Sequence, residues 1–487
     1  MEGFVDGSGL FGVARHREAA HRVYLGLHSL QHRGTRGAGI AVSDGEFMQF
    51  HRGDGTVAEV FGGPHLQALT GSAAVGLVYG NASKERPVLD GGEGDGIVFC
   101  RYRDGQLALA LSGRFTNGER LRTELKHQGA VFRSGSDAEL LVHLMAHSQQ
   151  RTVVNRLVDA LWKVEGSFSL LLCTEDRLVA VRDPRGFRPL VMGAVGDGVL
   201  FSTEDAAIRY AGGESLRQLA PGEMVIVDAR GVQQVRPFSD RPQTACIHEF
   251  VALASPQARV FGQEAYGARV GLGQRLAREA PCPEGRVVVG LPGPGEAAAI
   301  GFARTARTPL EQGLLMNELS RRDVEGPPSA IAGFEARQQF TVVPAAVEER
   351  TVVLVAGTLV TGSTIKLAVQ LLLDARATEV HLRVASPPIR QGCPYGVNGP
   401  TADELLASVH GDAAAMSAAL GVSSIGFLSS DGLHAVVGRR VDGASQYCDA
   451  CFSGTYPIPP DEPDDQLPLG LGWHRPQTES PPSTTKT

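Results

Sequence analysis

Two features of this chain have residue types and spacings that could carry chemistry. The first is a Cys-x-x-Cys pair, Cys448 and Cys451, among seven cysteines in all. That spacing puts two thiolates on one turn, where they can hold zinc or simply remain thiols. Isolated cysteines such as Cys246 and Cys393 read by themselves as core fillers. The second is the run Ala356-Gly357-Thr358-Leu359-Val360-Thr361-Gly362-Ser363-Thr364. Its last four residues open a helix with small side chains and hydroxyls, and the free N–H groups of a helix start suit a phosphate. A plain strand-to-helix turn reads equally well from the same residues.

These groups need elements to position them. After Cys246 the chain alternates strand and helix: Arg286–Leu291, helical Gly295–Ala306, Thr351–Val355, helical Ser363–Ala375, and Glu379–Ala385. Such βαβ alternation predicts a parallel sheet with its ligand at the carboxyl ends of the strands. Before Cys246, short β-type runs separated by glycine-rich turns predict antiparallel sheets: 73–78, 106–111, 168–173, 178–182, 190–194 and 199–202. Arg17–Leu30 and Asp137–His147 carry apolar residues at helical spacing, so helices cover at least one sheet face. The first half is therefore expected to be an α+β domain and the second an α/β domain.

Composition narrows the function classes. At 487 residues the chain has room for two to three domains, and 43% hydrophobic with 20% charged residues fits folded structure over most of the length. A net charge of −7 argues against non-specific nucleic-acid binding. Seven scattered cysteines are too few for a disulfide scaffold, so reduced thiols and a cytoplasmic location are expected. No run of eighteen apolar residues and no export signal is found, which predicts no membrane partner. The segment from Ile458 is rich in proline and polar residues and reads as a disordered tail, 458–487.

Seven motifs in order, GLFGV (9–13), YLGLHSLQHRGTRGAGI (24–40), SDAELL (136–141), DPRGFRPL (183–190), PGEM (221–224), ASPPI (385–389) and CDACFSGTYP (448–457), resemble the glutamine phosphoribosylpyrophosphate amidotransferase family of purine synthesis. The resemblance implies a class II glutaminase-like sandwich of the N-terminal-nucleophile fold over 8–245, behind a possible propeptide at 1–7. A phosphoribosyltransferase-like domain follows over 246–457. It also implies a homo-oligomer, and four iron–sulfur ligands, Cys246, Cys393, Cys448 and Cys451, for a [4Fe–4S] cluster.

The positions that the resemblance maps onto catalysis depart from the family. Its nucleophilic Cys is Ser8, a much weaker nucleophile than a thiol. The arginine that grips the substrate carboxylate is missing from Gly76-Leu77-Val78-Tyr79. The oxyanion asparagine is Ser112, which leaves Gly113, and one lost donor of this kind typically costs about 10²–10³ in rate. Arg33 of the His-Arg-Gly motif remains, as does Asp137, which in the family holds the substrate amine. In the second half both diol-binding acids are absent from the 356–364 turn, so 5′-phosphate binding through Thr358, Thr361, Gly362, Ser363 and Thr364 is chemically possible. Recognition of the sugar diol and its Mg²⁺ is not supported. The pyrophosphate turn reads Gly290-Leu291-Pro292-Gly293-Pro294-Gly295, and the flexible loop reads Met316-Asn317-Glu318-Leu319 with Arg322 kept. The expected function is a degenerate paralogue kept for binding or assembly, with a partner enzyme of the same pathway possible. The alternatives are a repurposed Ser8 nucleophile and residual amidophosphoribosyltransferase activity.

Overall fold

The computed structural model describes residues 5–80, 96–103, 105–317, 339–438 and 446–461. Two antiparallel sheets build the first half. One has seven strands in the order Glu214–Gln218, Val191–Val195, Gly198–Ser202, Ser8–Ala14, Ala73–Tyr79, Gly37–Ser43, Met48–Asp54. The other has six, in the order Gly231–Val235, Met224–Asp228, Arg177–Arg182, Gly166–Thr174, Gly105–Phe115, Val98–Tyr102. Alternation at period two sends Leu10, Leu77, Leu171 and Phe201 into the layer between the sheets, all fully buried. The opposite faces take helices. Ala19–Ser29 packs Val23 and Leu27 with Phe11 and Val13, while Asp137–His147 and Val153–Leu161 cover the six-stranded sheet through Leu140, Leu144 and Leu157. The result is a helix–sheet–sheet–helix sandwich.

Asp137–His147 starts where the sequence places it because Ser136 caps it, its side chain accepting from the Glu139 N–H at 3.1 Å. Strand ends differ from the expected runs by a residue or more in both directions, with 105–115 longer than 106–111 and 287–290 shorter than 286–291.

The second half has a four-stranded parallel sheet in the order Val287–Gly290, Thr351–Ala356, Glu379–Val384, Ser424–Phe427. Its strands are near-continuous valine and leucine runs because both faces are covered. One face is covered by helices Ala265–Glu279 and Pro294–Ala306, which meet at backbone distance. A Cβ on Gly273 would stand 1.8 Å from the Ala298 carbonyl oxygen, and one on Gly301 would stand 1.9 Å from that of Val270. Only glycine permits that seam.

Of the sequence expectations, Glu318, Leu319, Arg322, most of the 1–7 segment and the tail beyond Asp461 lie outside the described residues.

Candidate functional sites

Ser8 begins the central strand of the seven-stranded sheet, paired with Tyr79, and is 7% exposed. Its carbonyl accepts from the Ser112 hydroxyl at 3.2 Å. Gly113, on the facing sheet, adopts φ +128° and lies against Gly396 of the second half, where an added Cβ would fall 2.7–3.0 Å from Gly113 backbone atoms. Asp137 is nearby in the fold, but its carboxylate is engaged. One oxygen accepts from the Phe115 N–H at 2.8 Å, and the other stands 3.5 Å from the Arg122 guanidinium. Among the described residues no titratable side chain is hydrogen-bonded to the Ser8 hydroxyl.

Arg33 is committed elsewhere. It is 1% exposed, with Nε 2.6 Å from Glu204 Oε1 and a terminal nitrogen 2.7 Å from Glu249 Oε2. Arg188 meets the same Glu249 at 3.3 Å, and the Ser255 N–H donates to Glu204 at 3.1 Å. A buried charge network thus runs from one half of the chain into the other. Burial by itself would raise the Glu204 carboxyl, but Arg33 and then His32 outweigh it and hold the group at about 2. Glu249 is lowered for the same reason, burial being overcome by Arg33 and Arg188. Sequence reasoning had no signal for this use of Arg33, because its partners lie 171 and 216 residues away.

The 356–364 turn sits, as the parallel-sheet rule requires, at the carboxyl end of a strand. It lines a cleft of about 420 Å³. Thr358, Gly362 and Thr364 face this cleft across from His32 of the first half and the Leu291–Gly295 turn. Thr361 and Ser363 are not part of the lining, and their hydroxyls stand 3.1 Å apart. Gly362, at φ +88°, precedes helix Ser363–Asp374, so the start of that helix lies at the turn. The one carboxylate in the lining, Glu296, turns back on its own helix to accept from the Gly293 N–H at 3.3 Å.

The four cysteines singled out by the resemblance come together from three segments. Cys246, Cys393, Cys448 and Cys451 line one apolar cavity with Phe187, Tyr395 and Tyr456. Parallel pairing of Ala245–Cys246 with Tyr447–Cys448 brings two of them side by side. All are free thiols. Burial pushes Cys246 up to about 12, and burial with the neighbouring thiols raises Cys448 and Cys451 as well. No three His, Cys, Asp or Glu side chains among the described residues stand as a single metal ion would need. Four separate thiols around one apolar space suit a polynuclear group in which each metal takes one thiolate. The remaining cysteines are apart from this cavity, with Cys173 fully buried between the sheets.

A two-sheet sandwich of this topology followed by a parallel-sheet domain defines a two-domain amidotransferase, with a glutamine amidotransferase domain and a phosphoribosyltransferase domain. The family model described as "Glutamine amidotransferase domain" matches residues 92–210. The amidophosphoribosyltransferase of Bacillus subtilis is 35% identical over 462 residues, covering 94% of this chain and 95% of its own length. The chain belongs to the amidophosphoribosyltransferase family. The chloroplastic enzyme of Vigna aconitifolia is 38% identical over 466 residues, covering 95% and 94%. A solved structure described as the allosteric regulatory enzyme of purine biosynthesis matches with a TM-score of 0.88 at 35% identity, covering 94% of this chain and 97% of that one. The B. subtilis enzyme complexed with ADP and GMP matches at 0.85, also 35% identical, covering 92% and 97%. No helix among the described residues is long and apolar enough to cross a membrane.

Proposed function

We propose that this amidophosphoribosyltransferase-type chain neither hydrolyses glutamine nor transfers phosphoribosyl, and instead holds a phosphate-bearing small molecule in the cleft of its second half, acting through binding and assembly. The observation that carries the reading is the 356–364 turn. It offers hydroxyls and helix N–H groups to a phosphate and contains no carboxylate for a ribose diol or its Mg²⁺. The first half supports it, because among the described residues no base is hydrogen-bonded to the Ser8 hydroxyl, and Asp137 is engaged by Phe115 and Arg122. Copies of this chain, or a partner enzyme of the same pathway, would complete the assembly.

The donor set of Cys246, Cys393, Cys448 and Cys451 belongs to the same reading as the holder of a [4Fe–4S] cluster. When bound, such a group would cross-link three segments of the chain. The protein's own contribution is to converge four thiols in an apolar space and to give up their protons on loading.

The test uses anaerobically purified, iron- and sulfide-reconstituted protein. Glutamate release from glutamine, and phosphoribosyl pyrophosphate consumption with ammonia, should both stay at background, while calorimetry should register ribose 5-phosphate. Turnover at the rate of a competent family member would overturn the proposal. A second reading, retained amidophosphoribosyltransferase activity, is favoured by 35% identity spread over 94% of the chain. Complementation of a purine auxotroph separates the two, since growth would establish the second.

A further inference from the structure

The residues ahead of Ser8 are built into the fold. Val5 and Asp6 pair antiparallel with Asn398 and Val397 of the second half, and the Gly7 carbonyl accepts from the Gly80 N–H at 2.9 Å. Val397 and Asn398 close the loop that begins at Cys393. That loop is seated on the first half at two further points. The Ser167 hydroxyl donates to the Tyr395 carbonyl at 2.7 Å, and Gly396, at φ +92°, touches the Gly113 backbone.

We propose that residues 5–7 are a permanent interdomain clasp, which stays covalently attached to Ser8 and keeps the Cys393 loop seated on Gly113. Ser8 is then never a chain terminus and has no α-amine to act as its base. One observation supports retention over removal. Attack of the Ser8 hydroxyl on the Gly7 carbonyl would need a base, and among the described residues no titratable side chain is bonded to that hydroxyl. Retention matters to the clasp because cutting Gly7–Ser8 would turn a tethered two-residue pairing into a weak bimolecular contact. The inference goes beyond the proposed function and holds whatever the cleft binds.

Three measurements test it. Intact-mass analysis of freshly purified protein should give an amino terminus upstream of Val5, and a start at Ser8 would overturn the clasp. Hydrogen exchange of the same protein should show the amides of 5–7 and 396–398 at least tenfold slower than unfolded reference rates, and unprotected amides there would overturn it too. Deletion of residues 1–7, and separately Asp6→Pro, should speed exchange in the 395–398 peptide about tenfold or more. The 107–111 and 352–355 strands serve as unchanged internal controls. Exchange in 395–398 equal to wild type in Asp6→Pro, which leaves chain length intact, counts against the clasp even if the deletion fails to fold.

Discussion

Arg33→Met is the substitution that best separates a catalytic from an architectural use of this residue. The change removes the one guanidinium that bridges Glu204 and Glu249, both fully buried. Glu204 titrates at about 2 against an ordinary 4.5, and this gap corresponds to about 3 kcal/mol of preferential stabilisation of the ionised form. Without Arg33, Glu204 keeps His32 and Glu249 keeps Arg188, and removing one partner of a buried pair typically costs about 3–5 kcal/mol. At roughly 2–4 °C per kcal/mol for domains of this size, the melting temperature at pH 7 should fall by about 10 °C. The pH dependence supplies a second constraint. Carboxyls that have lost their strongest cation are raised by burial and take up protons on mild acidification, so the gap between variant and wild type should narrow from pH 7 to pH 5. Differential scanning calorimetry at both pH values reads this directly. A shift under 2 °C at pH 7, or a gap that does not narrow, refutes the assignment of Arg33 to the boundary.

In wild type the depressed Glu204 carboxyl contributes stability that is fully present above about pH 4.5 and lost as pH falls through about 2, so acid unfolding monitored by circular dichroism should steepen within that window. Gly396→Ala should destabilise by at least about 1–3 kcal/mol in urea melts, because its Cβ meets the Gly113 backbone at a φ that L residues rarely adopt. Thr364→Val should weaken ribose 5-phosphate binding about tenfold in calorimetry with no change in melting temperature, whereas Thr361→Val, away from the cleft lining, should leave affinity unchanged. Cys451→Ser should abolish the visible absorbance of reconstituted protein, and Cys173→Ser should not, since Cys173 lies between the sheets.

What the sequence made legible follows the range of the interactions involved. The 351–356 and 379–384 strands are buried on both faces and announce themselves as apolar runs, and the helix at Asp137 carries its own cap in Ser136. The strand Met48–Asp54 and helix Ala265–Glu279 do not. The first is an edge strand with half-exposed polar residues, and the second hides its apolar face behind Gly267, Gly271 and Gly273. In the candidate sites, the lost carboxylates of 356–364 are a local reading that stands on composition. The convergence of Cys246, Cys393 and the 448–451 pair came from the resemblance, since spacing across more than fifty residues says nothing about proximity. The engagement of Arg33 and the pairing of Val5–Asp6 with 397–398 were invisible, because both depend on how one half docks on the other.

The charge network across the boundary has a consequence for how the chain can change over time. Glu249 of the second half is buried against Arg33 and Arg188 of the first, and Arg33 also carries Glu204. A chain reduced to its second half would leave Glu249 without Arg33 or Arg188, and one reduced to the first would keep the Arg33–Glu204 pair but leave Arg33 and Arg188 without Glu249. Neither half can be shed without leaving charges of the other without their partners. Selection acting on either half therefore maintains the other as well, whatever chemistry each performs.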